Sequence, residues 1–160
     1  MRAIRYAMLA ALMLGCTAQG RDSPAAATAS PAETGLNPVS AQDEACARKT
    51  VDRLIAAMNR GDEPELGDLL RSSAFNWAAS GRTTTTPGDA VTLLMTRSRQ
   101  GERWVLRSLD VNGRGWHGGI DFGLQLRRSA PDLAAPYVES AGKGVLDCPE
   151  QRFRILGLGG

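Results

Sequence analysis

The sequence predicts an α+β domain behind an N-terminal leader, and three observations carry that prediction. Capped amphipathic helical stripes fill the first half of the folded region, strand-like alternation fills the second, and an Asn-Gly pair separates the two longest alternating runs. The longest strict alternation is GWHGGIDFGLQLRR, Gly115 to Arg128. One register carries Trp116, Gly118, Ile120, Phe122, Leu124 and Leu126; the other carries His117, Gly119, Asp121, Gly123, Gln125 and Arg127. A strand with a single buried face requires this pattern.

Residues 1–16 join a basic start, Arg2 and Arg5, to an apolar run from Ala7 to Leu14, followed by Gly15 and Cys16. That run is too short to span a bilayer as a helix, so it reads as an export signal. It resembles the bacterial lipoprotein signal, in which a small residue precedes the cysteine that takes the lipid. Met13 and Leu14 depart from the usual residues of that signal. The resemblance implies lipidation of Cys16 and, with Thr17 next, an outer-membrane lipoprotein facing the periplasm. Residues 17–39 are rich in Ala, Ser, Thr and Pro and form a disordered tether with a reach of a few tens of Å. If Cys16 carries lipid, Cys46 and Cys148 remain as a pair, which an oxidising compartment closes into a disulfide.

The folded region is residues 40–160, enough chain at about 120 residues to bury a core. Ser40 and Asp43 form a capping box, and Ala47, Val51, Leu54, Ile55 and Met58 make one apolar stripe up to Gly61, the left-handed stop. Asp62 caps a second helix, with Pro64 in its first turn and Leu66, Leu69 and Leu70 inward. Phe75 to Ala78 reads as a short strand, and Thr83 to Thr86 as extended loop. Thr86, Pro87 and Asp89 open a third helix with Val91, Leu94, Met95 and Ser98 on one face. Trp104 to Val111 is a strand, and Asn112-Gly113 predicts a tight hairpin to the 115–128 strand. Tyr137 to Ala141 and Val145 to Cys148 read as two strands around Gly142-Lys143-Gly144, and Arg152 to Leu158 as the last.

Two helices joined through Asn59-Arg60-Gly61-Asp62, a lone strand, a third helix and closing antiparallel strands resemble the nuclear transport factor 2-like superfamily, with its SnoaL-like members. The resemblance spans residues 41–160. It implies a cone: a strongly curved, mainly antiparallel sheet wrapped around the helices, with a pocket on its concave face. Superfamily members include binding proteins and enzymes, so function rests on the site.

The chain has 19 Lys and Arg against 17 Asp and Glu, and Arg2 and Arg5 account for the excess. A neutral mature domain lacks the basic face that nucleic acid requires. His117 and Asp121 share a face but lie about 13 Å apart along a flat strand, too far to act as a dyad. The apolar register belongs to the interior, which sends His117 and Asp121 to the wet side. Tyr137, Glu139, Asp110 and Asp147 are acid-base candidates by residue type alone, and no metal-ligand spacing or phosphate loop is present. Hence no catalytic residue, metal or cofactor is assigned. Trp77, Trp104, Trp116, Phe122 and Tyr137 are the candidate lining of an apolar pocket, with Gly115, Gly118, Gly119 and Gly123 leaving room beside them; as core residues they would equally complete a small interior.

The functional expectation is a lipid-anchored, non-catalytic binding or interaction domain of the cell envelope. Its partners are the membrane, through the anchor, and a periplasmic protein, an apolar small molecule or a second copy of the chain. A SnoaL-like isomerase, cyclase or dehydratase, and a periplasmic inhibitor or immunity lipoprotein, are the alternatives.

Overall fold

In the computed structural model the described residues are 38–77, 86–115 and 118–159, with residues 76 and 77 described by their backbone only. The leader with Cys16, the tether up to residue 37, the threonine tract up to residue 85, Trp116 and His117 lie outside them. The expectations that rest on those residues are neither met nor contradicted.

Helix α1, Ala41–Arg60, begins where the sequence places it: the Ser40 hydroxyl accepts from the Asp43 amide and the Asp43 carboxylate accepts from the Ser40 amide. Burial pushes the Asp43 pKa up, but the Ser40 hydroxyl and amide and the Arg114 guanidinium outweigh it and hold the carboxyl below its usual value. Gly61 ends the helix at φ 66°, the left-handed region that glycine enters without a Cβ clash. Asp62 then accepts from the Glu65 amide to start α2, Glu63–Leu70. After β1, Ala74–Trp77, the Thr86 hydroxyl caps α3, Pro87–Arg99.

The remaining chain forms β2, Arg103–Arg114, β3, Ile120–Ser129, β4, Val138–Asp147, and β5, Arg152–Gly159. The sheet has five strands in the order β1-β5-β4-β3-β2 and is not closed. β1 runs parallel to β5, whereas all other neighbours are antiparallel. Among the described residues no helix is long and apolar enough to cross a membrane.

The helical stripes and the inward strand register form one core. Val51, Leu54 and Met58 of α1, Leu66, Leu69 and Leu70 of α2 and Leu94 of α3 meet Ile120, Phe122, Leu124, Leu126, Leu146, Phe153, Leu156 and Leu158. Phe122 and Phe153 pack edge to face at 5.8 Å. The inward register of β3 is therefore the one its alternation predicts. Two further ties fix α1 to the sheet. Asn59 brackets the Trp104 backbone, donating to its carbonyl and accepting from its amide, both at 2.8 Å. Cys46 and Cys148 are joined in a disulfide, with Cα atoms 5.9 Å apart.

Two strand readings need correction. Asn112-Gly113 is not the hairpin turn: β2 continues through it, with a register shift between Val111 and Gly113, and Gly113 has φ 136°. The positive φ that makes this dipeptide a turn signal also suits a bulge. The chain reverses between Arg114 and Ile120, where the Gly118 and Gly115 amides donate to the Gly115 and Gly119 carbonyls at 2.9 Å. Consequently Gly115, Gly118 and Gly119 lie outside β3, which starts at Ile120.

Gly142-Lys143-Gly144, read as a break between two strands, lies inside the continuous β4. A Cβ at Gly142 would press on Leu158 and Leu124, at 2.8 and 2.9 Å, and one at Gly144 would overlap the Ile155 carbonyl and meet Phe122 at 2.9 Å. These glycines answer a close approach in the core, not a turn.

Candidate functional site

The strand registers assemble a face that no single strand reveals. Asp121 pairs with Val145, Val145 with Ile155, and Ile155 with Ala74, so these four form a row across the sheet on the side away from the core. The next row is Gly123, Lys143 and Gly157, and the one after it is Gln125, Ala141 and Gly159. Small and apolar residues thus stand where an outward face is ordinarily polar. Ile155 is 51% exposed, one of the largest apolar exposures on the domain.

A trough of about 880 Å³ lies on this face. Val145, Ile155 and Lys143 border it, while Gly157, Gly159 and Ala141 leave it open. Phe122, Leu156 and Leu158 also border it, but they belong to the inward register and are no more than 2% exposed, so they add little side-chain surface to it. The hypothetical Cβ of Gly157 has only the Lys143 carbonyl nearby, at 3.6 Å, and that of Gly123 only the Gly142 carbonyl, at 4.0 Å, so both flanks of Lys143 are clear. Asp121 and Asn112 close one end. A volume of this size, mostly apolar with a few polar groups, suits a small-molecule ligand.

The aromatic candidates do not line such a site together. Trp104 is 2% exposed and belongs to the core beneath the Asn59 bracket. Tyr137 precedes β4 and lies under the Arg127 guanidinium, 3.9 Å from its ring centre. Phe122 alone of the five is seen to border the trough. Trp77 ends β1, its side chain not described, and Trp116 lies outside the described residues. The open volume found on the sheet lies on the side away from the core, whereas the described inward residues of the strands pack against the helices. The outward registers of β4 and β5 carried the signal: Ala141 and Val145, then Ile155, Gly157 and Gly159, are not the residues of an ordinary wet face.

The acid-base candidates are also dispersed. Asp110 is exposed, Glu139 pairs with Arg127 at 3.1 Å, and Asp147 pairs with Arg154. One buried acid went unrecognised in the sequence. Glu102, in the turn between α3 and β2, is 1% exposed and faces Arg128 at 3.5 Å and Arg97 at 3.8 Å. Arg128 also stands over the Trp104 ring, 5.8 Å from its centre. Burial raises the Glu102 pKa above the ordinary 4.5, against the pull of Arg128 and Arg97. Glu102 is not among the residues bordering the trough.

Relative to the unfolded chain, the fold therefore shifts Glu102 toward its protonated form. That contribution to stability is fully present below the ordinary carboxylate value and is lost as pH rises through the raised folded-state value. Glu102→Gln, which mimics the protonated acid, is expected to gain stability relative to the parent between pH 4 and pH 7 in urea melts. A gap that does not change with pH would contradict this assignment. Among the described residues no group of three or more His, Cys, Asp or Glu side chains is placed to hold a metal ion.

No protein-family model matches the sequence, and no curated protein matches it. Solved structures do. A protein of unknown function with a cystatin-like fold from Methylobium petroleophilum PM1 is similar over 71% of this chain and 74% of its own, at 12% identity and a TM-score of 0.59. A Sinorhizobium meliloti protein, described provisionally as a polyketide cyclase, is similar over 69% of this chain and 93% of its own, at 9% identity and a TM-score of 0.54. A protein designated Rd1NTF2_04 with long sheet is similar over 71% and 99%, at 14% identity and a TM-score of 0.54. Such likenesses establish the fold, an α+β arrangement of the nuclear transport factor 2-like type.

Proposed function

We propose that this chain uses a nuclear transport factor 2-like fold as a non-catalytic binding domain, taking an apolar ligand on the outer face of its sheet. A lipid on Cys16 would hold it at the bacterial cell envelope, on the periplasmic side and at the outer membrane. The observation that carries the binding reading is the apolar trough over β3, β4 and β5, where Ile155 is exposed and Val145 half-buried.

Two features support the location. The Cys46–Cys148 pair suits an oxidising compartment, and the leader resembles a lipoprotein signal. Metabolic labelling with radioactive palmitate is expected to mark the chain and to leave Cys16→Ala unmarked. Equal labelling of both would remove the anchor. Binding is tested by mapping where a hydrocarbon probe perturbs the backbone amides, with the trough strands expected to respond.

A further inference from the structure

Lys143 gives the trough a charge that its apolar walls do not explain. It stands between Gly123 and Gly157 in the middle row of the outward face, with Val145 and Ala141 beside it on its own strand. Neither flanking position offers a side chain, so the exposed Lys143 stands in a clearing of the trough. It forms no ion pair among the described residues, while its charged neighbours are engaged: Arg127 with Glu139 and Arg154 with Asp147. Asp121, the other charged residue of the lining, packs its carboxylate against Gly115, away from that clearing.

Resting on the binding reading above, we infer that the ligand is a single-chain anionic amphiphile, such as a long-chain carboxylic acid. Its hydrocarbon lies over Val145, Ile155 and the glycine floor, and its carboxylate is held by Lys143. The apolar walls supply contact area, and the ammonium supplies a charge-assisted hydrogen bond that distinguishes the acid from an uncharged chain of equal length. The volume of about 880 Å³ accommodates one such molecule and is too small for a bilayer patch.

The test is calorimetric titration of the purified full chain with decanoic acid and with decan-1-ol, near pH 8 so that the acid is ionised, both below their aggregation limits. The acid is expected to bind about tenfold more tightly than the alcohol, and Lys143→Gln to erase that difference. Gly157→Val, which fills the floor with its Cβ in ordinary contact with the Lys143 carbonyl at 3.6 Å, is expected to abolish both, its fold verified by thermal melt. Equal binding of acid and alcohol by the parent, or an unaltered preference in Lys143→Gln, would overturn the charge assignment and leave the binding reading standing. Binding of neither would overturn both. So would sedimentation as a dimer that Gly157→Val dissolves, since the trough would then belong to a second copy.

Discussion

Replacing Cys46 and Cys148 together with serine should lower the stability of the domain by about 4 kcal/mol. The bridge spans a sequence separation of 102 residues, nearly the whole folded region, and in the chain-entropy picture a loop of that length restricts the unfolded chain by up to about 4.7 kcal/mol. Measured losses for small exported domains run about 2–5 kcal/mol. The bridge also ties α1 to the end of β4, so its removal frees the helix that carries Val51, Leu54 and Met58 into the core. Urea melts of the oxidised parent and the double variant provide the measurement, and a loss below about 1 kcal/mol would show that the bridge adds little to contacts already made.

Phe122→Ala should be comparably damaging, at about 3–5 kcal/mol. Phe122 is 1% exposed, packs edge to face on Phe153 and fills the space that Gly144 leaves by having no side chain. Truncation removes buried apolar surface and leaves a cavity whose walls, the β4 and β5 backbones, are hydrogen bonded and cannot collapse into it. A loss under about 1.5 kcal/mol would mean that the core near Gly144 is loosely packed.

What could be read in advance divides by how local its cause is. Ser40, Asp43 and Gly61 fix the ends of α1 through their own backbone neighbours, so the sequence shows them directly. The inward register of β3 follows from the alternation of Ile120, Phe122, Leu124 and Leu126. Glycine was harder, because the same residue serves a turn, a bulge and a close approach. Gly113 is a bulge, Gly118 with φ 70° is a turn, and Gly144 makes room for Phe122. Only the tertiary neighbours separate these roles.

Non-local pairs were invisible for the same reason. Arg128 occupies an inward position in β3 because Glu102 waits for it at the end of α3, and nothing in either segment announces the other. The trough required knowing that Asp121, Val145 and Ile155 share one row, which is a property of three strand registers together. Reading the strands singly favoured the tryptophans, and Trp104 proved to be core.

The most direct test of a binding role on the outer sheet face is amide chemical-shift mapping of the isotopically labelled full chain during titration with decan-1-ol. Saturable shifts are expected at Lys143, Val145, Ile155 and Gly157, with little change at Leu54, Met58 and Leu94. Shifts concentrated on those helical core residues would place the ligand on the inner face and contradict that role.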